Sequence, residues 1–408
     1  MSDPDPRTGL IPTAEPDETP YSFQMFKTIL GLFIRLPIWL FFSLKPFRPR
    51  ASWGWKKAFN VQLVRHMLGK PLPKGPDHRA LAIDIPPNAT AVWIKGINES
   101  LIQGDLAKYA LQANVTPASR IPGYWSHTSP SKPLLSSSPP INADEKVILF
   151  FHGGGYVNMS AAPNDPTQGI VRSTLAFIAA QSPNLKRVLS LEYRLTTLEA
   201  YPKNPFPASI IDALAGYSYL IDEVGFKPQN IVLMGDSAGA HLVVNLTRYI
   251  IQTPSIGLGV PGGLILHSPW VDFGKSHERP GTSHETCKDS DYVVSQGDTA
   301  AKAVAAPFDF DTVVNSDSWF SPASLSLPKE SIKGLFEGFP KTFITAGGGE
   351  RLLDPIKTFE ARLVESIGRE KVVYYQGLDA VHDFVMFPWA EPERTEALEA
   401  CAHWFAGL

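Results

Sequence analysis

The stretch Ile231-Val232-Leu233-Met234-Gly235-Asp236-Ser237-Ala238-Gly239-Ala240-His241-Leu242 changes character in its middle. Its first four residues form a short apolar run of the kind that fills a buried strand. From residue 238 to 251 the apolar residues recur at helical spacing. Between the two lies Gly-x-Ser-x-Gly. A strand that enters a helix through so tight a turn leaves no room for side chains at the flanking positions, hence Gly235 and Gly239. The turn lifts the Ser237 hydroxyl above the sheet at the amino end of the helix. There the helix dipole and free N–H groups favour developing negative charge. Gly-x-Ser-x-Gly also arises by chance in ordinary turns, and the strand before it and the helix after it give it weight here.

Further short apolar runs lie at residues 147–151, 188–193, 264–267, 342–345 and 372–375, and residues 207–224 show helical spacing. Strands alternating with helices predict an α/β protein, with a mostly parallel central sheet covered by helices on both faces. Upstream, residues 81–85 and 91–95 read as short strands joined by a Pro-Asn turn. Residues 121–144, rich in Pro and Ser, read as a loop. Residues 272–322 interrupt the alternation with a polar, aromatic-containing insert, and long inserts of this kind often act as lids or binding loops.

Two more segments carry chemistry. Phe151-His152-Gly153-Gly154-Gly155-Tyr156 follows the first central run directly. Successive glycines let backbone N–H groups converge on a small anion, and acyl transfer needs such donors for the oxygen of its tetrahedral intermediate. A phosphate loop would end in Gly-Lys-Ser/Thr, which this one does not. His382 lies in Gly377-Leu378-Asp379-Ala380-Val381-His382-Asp383-Phe384, after the last run. A lone histidine in a loop is usually a surface residue, but this one completes the order nucleophile, acid, histidine. Its neutral imidazole can take the Ser237 proton and return it to a leaving group. The acid is Asp354, with Glu350 the alternative. Both follow the 342–345 strand and the Gly347-Gly348-Gly349 turn, and either could instead be a solvated loop carboxylate.

Taken together these motifs resemble the hormone-sensitive-lipase-like family of α/β-hydrolases, which includes arylacetamide deacetylases and fungal steryl-acetate hydrolases. The resemblance extends to Glu192-Tyr193-Arg194-Leu195, Tyr201-Pro202, Phe206-Pro207-Ala208, Ser268-Pro269-Trp270-Val271-Asp272 and Ser321-Pro322, and covers roughly residues 145–405. It implies the α/β-hydrolase fold, with a cap from the amino-terminal segment and the 272–322 insert. It implies Gly154, Gly155 and Ala238 as oxyanion donors, with His152 and Gly153 supporting that loop. The family's Asp-x-Leu-x-Asp around the acid has Glu350 at its first position here, and the resemblance assigns the acid to the second, Asp354. The implied activity is that of a serine carboxylesterase or deacetylase acting on a hydrophobic ester, with no cofactor and no metal. Acyl transfer and amide cleavage would use the same triad. A non-catalytic receptor on this fold is the reading from another class, and the presence of His382 speaks against it.

The chain of 408 residues suffices for one large domain. A net charge of −3 argues against a nucleic-acid partner. The two cysteines, Cys287 and Cys401, offer no metal spacing and read as buried free thiols. Residues 1–20 are acidic and Pro-rich and read as a disordered tail. Residues 21–75 read as an anchor or cap, and residues 76–408 as the catalytic domain. Residues 23–44 are dense in Phe, Leu, Ile and Trp, but Arg35 and Pro37 fall in their middle. The acidic segment before them and the lack of a small-residue cleavage site argue against a cleaved signal peptide. Such a segment suits a membrane surface, or a soluble cap over the site. The Lys45, Arg48, Arg50, Lys56 and Lys57 that follow suit an anionic membrane. The expected location is membrane-associated, for instance at the endoplasmic reticulum, or cytoplasmic. Oligomeric state is left open.

Overall fold

The computed structural model describes residues 21–68, 89–128, 142–293 and 297–408. Eight strands form one sheet in the order β1-β2-β4-β3-β5-β6-β7-β8. They are β1 Ala89–Lys95, β2 Arg120–His127, β3 Lys146–Phe151, β4 Leu185–Leu191, β5 Ile231–Asp236, β6 Gly263–His267, β7 Thr342–Gly347 and β8 Val372–Gly377. From β4 through β8 the pairings are parallel, while β2 runs antiparallel to both β1 and β4. This is the α/β-hydrolase architecture expected above.

The helices are α1 Tyr21–Phe42, α2 Trp55–Leu68, α3 Gly104–Gln112, α4 Gln168–Gln181, α5 Ala208–Ser218 and α6 Ala238–Gln252. They continue as α7 Ser283–Thr286, α8 Gly297–Val304, α9 Phe310–Ser316, α10 Lys329–Ile332, α11 Leu353–Ile367 and α12 Glu393–Ala406. The two-residue period of a strand explains how they pack. Val147, Leu149 and Phe151 of β3 face the larger core, with Leu214 of α5, Val243 of α6 and Ile356 of α11. Ile148 and Phe150 face the smaller one, with Ile178 of α4 and Phe405 of α12. A strand covered on both faces has no polar alternation, which is why it reads as a continuous apolar run.

One reading is corrected. The segment 121–144, taken as loop, begins with strand β2, in which Pro122 pairs with Trp93 and Gly123 with Val92. A Cβ on Gly123 would stand 3.0–3.3 Å from Ile94, Leu189 and Val92 side chains. The residues that signal a loop are here the ones that let neighbouring side chains close over the strand. The expected strand at 81–85 and the tail at 1–20 lie outside the described residues.

The amino-terminal segment splits into two parts. On α1, Leu30, Phe33, Ile34, Ile38, Leu40, Phe41 and Phe42 are exposed, Phe33 by 67%, and Trp39 is buried against Phe59 and His66 of α2. The connection to α2 is bound to the body. Trp53 is buried and its Nε1–H donates to Asp379 O at 2.8 Å, while Ser52 Oγ donates to Asp379 Oδ2 at 2.7 Å. Trp53, Ala58 and Val61 share a cluster with Tyr292, Ala380, Val381 and Phe384. This part therefore packs on the loop that carries His382. Among the described residues no helix is long and apolar enough to cross a membrane. The basic cluster is also thinner than the sequence suggests. Arg48 donates to Ser43 O and Trp53 O, Arg50 pairs with Asp379, and Lys57 pairs with Glu393 at 2.7 Å. Lys45 and Lys56 stay exposed.

Candidate active site

Ser237 stands between β5 and α6 with φ +51° and ψ −116°. A residue other than glycine at positive φ carries strain of about 1–3 kcal/mol and persists only where its surroundings hold it. Here the Ser237 N–H donates to His267 O at 2.9 Å, and its carbonyl accepts from Trp270 N–H at 3.0 Å. The flanking glycines are required sterically. A Cβ on Gly235 would lie 2.3 Å from Gly239 C, and one on Gly239 would lie 2.0 Å from Phe151 O.

The Gly loop lies beside this turn. Gly153 N–H donates to Asp236 Oδ1 at 3.0 Å, so the residue before Ser237 ties the two motifs together. Gly154 and Gly155 take φ of +99° and +63°. Their N–H groups donate to no partner among the described residues. Ala238, buried at the start of α6, presents the third N–H. His152 Nδ1 lies 2.8 Å from Gly153 O, its ring stacks on Tyr193, and its carbonyl accepts the Tyr193 hydroxyl at 2.5 Å. Glu192 accepts from Ser160 Oγ at 2.5 Å and Ala161 N–H at 2.8 Å. Arg194 forks onto Asp212. Of the Glu-Tyr-Arg landmark, Tyr193 thus braces the Gly loop, while Glu192 holds residues 160–161 and Arg194 holds α5.

Several buried histidines lie near, and their surroundings differ. His241 Nδ1 meets the Tyr156 hydroxyl at 2.7 Å, and burial pushes its pKa down to about 3. His267 Nδ1 meets Thr345 Oγ1 at 3.0 Å, and burial pushes its pKa down to about 4. Both are held neutral and spent on neighbours. His382 faces carboxylates. Its Nδ1 is 3.7 Å from Glu350 Oε2 and its Nε2 is 3.0 Å from Asp383 Oδ2. Burial alone would lower its pKa, but Asp383 and then Glu350 overturn that and raise it well above the ordinary imidazole value.

The structure does not bring Asp354 to His382. Asp354 lies in the first turn of α11, where its Oδ2 accepts the Ser283 N–H at 2.8 Å and its own N–H donates to Ser283 Oγ at 3.0 Å. It pins the 272–322 insert to the helix. Glu350, wholly buried after β7, places Oε2 3.7 Å from His382 Nδ1, an ion-pair distance longer than a hydrogen bond. Burial raises its pKa to about 7, against the lowering pull of His382 and of the Ser268 hydroxyl at 2.7 Å. The residue that departs from the Asp-x-Leu-x-Asp pattern is thus nearer the imidazole than Asp354 is. Three residues lie between the two, about one turn of chain, and spacing alone does not say which carboxylate points inward.

Sequence reasoning missed the rest of the surroundings. Asp291, in the insert, accepts the His382 N–H through Oδ1 at 3.2 Å and the Arg351 N–H through Oδ2 at 2.9 Å. Tyr292 sets its ring across that of His382, centroids 5.9 Å apart. Nothing in a Lys-Asp-Ser-Asp-Tyr loop marks it as part of a site. Among the described residues no group of His, Cys, Asp and Glu could hold a metal ion. Cys287 and Cys401 are both free and buried.

The family model for the alpha/beta hydrolase fold matches residues 148–386. The chain is similar to esterase LipU of Mycobacterium tuberculosis, 27% identical over 259 residues, covering 64% of this chain and 77% of that one. It is also similar to an acetyl-hydrolase of Streptomyces hygroscopicus, 31% identical over 159 residues, covering 39% of this chain and 46% of that one. A crystal structure of a hormone-sensitive lipase from a metagenome library superposes with a TM-score of 0.51 at 25% identity, covering 70% of this chain and 82% of that one. The chain belongs to the α/β-hydrolase fold family, in its hormone-sensitive-lipase-like branch, and is a carboxylic ester hydrolase.

Proposed function

We propose that the protein is a serine esterase or deacetylase in which Ser237 is the nucleophile, His382 the general base and Glu350 the acid that orients it. The observation that carries this reading is the positive φ of Ser237 in a buried strand-to-helix turn, beside a glycine loop with unspent N–H groups. Ser237 Oγ attacks the ester carbonyl carbon while His382 Nε2 takes its proton. The carbonyl oxygen becomes an oxyanion held by the N–H groups of Gly154, Gly155 and Ala238. The imidazolium then protonates the leaving alcohol and an acyl-enzyme remains. Water, deprotonated by His382, attacks the acyl carbon and releases the acid. Glu350 holds the ring and offsets the imidazolium charge, as the third member of a triad does.

The substrate we propose is a hydrophobic ester with a short acyl group. The Streptomyces hygroscopicus relative is named an acetyl-hydrolase. The exposed apolar side chains of α1, continued by Leu44, Phe47 and Trp55, suit a lipid surface on which the helix lies rather than spans. Lys45 and Lys56 beside them would face anionic headgroups. Labelling by a fluorophosphonate, followed by a panel of nitrophenyl esters from acetyl to decanoyl, tests the reading. The expected result is labelling at Ser237, abolished in Ser237→Ala, with highest turnover on short acyl chains. Undiminished ester cleavage by Ser237→Ala would end it.

A further inference from the structure

His382 carries a charged neighbour on the wrong nitrogen. In a serine triad one ring nitrogen faces the acid and the other faces the nucleophile. Here Nδ1 faces Glu350, and Nε2, the nitrogen that would serve Ser237, lies 3.0 Å from Asp383 Oδ2. Resting on the triad reading above, we propose that Asp383 is a positioning residue that holds the His382 ring in a waiting arrangement, so that the ring must pass from Asp383 to Ser237 before each acylation.

Asp383 is built into this place. It is buried, and its backbone adopts the left-handed conformation at φ +47°. That conformation turns its side chain back onto the residue before it, and Asp tolerates it better than most residues do. Its N–H donates to Ser268 Oγ at 3.1 Å, and the same hydroxyl donates to Glu350. Its second oxygen, Oδ1, has no hydrogen-bond partner among the described residues. A buried carboxylate left half satisfied is costly unless a cation offsets it.

The cation is His382 itself. Buried carboxylates approach it from every side: Asp383 on its own loop, Glu350 after β7, Asp291 from the insert and Asp236 at the end of β5. Tyr292 and Ser268 complete the walls as neutral groups. Among the described residues no lysine or arginine side chain pairs with any of the four carboxylates. Burial raises Glu350, Asp236 and Asp291, and the Asp383–imidazolium pair, helped by Glu350, lifts the His382 pKa. The sign follows. A histidine whose pKa is raised is a base only above that raised value, so activity in the free enzyme is gained as pH rises through it.

Substituting Asp383 tests this. Asn suits the left-handed backbone and removes the charge, and Gly removes the contact altogether. Both Asp383→Asn and Asp383→Gly are expected to move the acid limb of the kcat/KM profile to lower pH by about one unit or more. At a pH below both limbs, kcat/KM then rises by about tenfold. The rate of fluorophosphonate labelling at Ser237 should show the same displacement without any substrate. An acid limb that stays in place in both variants, or a loss of turnover equal at every pH, overturns the proposal. Failure of the triad reading looks different, because Ser237 would then not label in the parent protein at any pH.

Discussion

Ser268 donates its hydroxyl hydrogen to Glu350 Oε2 at 2.7 Å, and it does so from a backbone held at φ +40°. The bond fixes which oxygen of the buried carboxylate faces the imidazole. If Glu350 is the triad acid, Glu350→Gln keeps the shape and removes the charge. Turnover is expected to fall by a factor of roughly 10⁴. Steady-state kinetics on a nitrophenyl acetate would read it, and a loss below tenfold would return the role to another carboxylate.

Asp354→Asn is the paired control. Its carboxylate accepts the Ser283 N–H and lies in the first turn of α11, where negative charge is favoured. The expected cost is about 1 kcal/mol of stability, seen as a lower melting temperature, with turnover within about threefold of the parent. A collapse of turnover at unchanged stability would contradict the geometry.

Gly154→Ala addresses the oxyanion loop. The new Cβ would stand 2.3 Å from Asn158 O, and the backbone is at φ +99°. The loop must therefore shift and carry the donors with it. Turnover is expected to fall by about 10²–10³, with most of the effect on kcat. An unchanged kcat with a raised KM would place the loop in substrate binding instead.

Two truncations separate the halves of the amino-terminal segment. Removing residues 1–44 leaves Arg50, Ser52 and Trp53 on the His382 loop. The protein should keep its melting temperature and its activity on a water-soluble ester, and lose sedimentation with anionic vesicles. Removing residues 1–54 also deletes the buried Trp53, which should cost about 3–5 kcal/mol. Equal melting temperatures for the two truncations would show that the Trp53 contact contributes little.

How far the sequence could be read depended on whether local pattern or three-dimensional packing set the answer. Strands β3, β5 and β6 were legible as apolar runs because both faces of each are covered. The turn at Ser237 was legible because it cannot be built without Gly235 and Gly239. Strand β2 was not, because Pro122 and Gly123 carry loop signals and only the neighbours on either side make it a strand. The acid was narrowed to two carboxylates, and the choice between them rests on which one a helix start claims for Ser283. The contact of Asp383 with His382 is set by one left-handed residue, which spacing along the chain does not encode.

The positive φ at Ser237 also bears on how durable this protein can be. Glycine adopts that conformation without cost, and serine does not. Ser237→Gly should therefore melt a few degrees above the active protein, on the order of 1 kcal/mol gained at one position, while being chemically inert. Thermal unfolding of the two proteins side by side would measure it. If Ser237 is the nucleophile, heat resistance cannot be improved at this residue without disarming the enzyme, so stabilising substitutions have to come from elsewhere, such as the surface of α12 or the exposed turns.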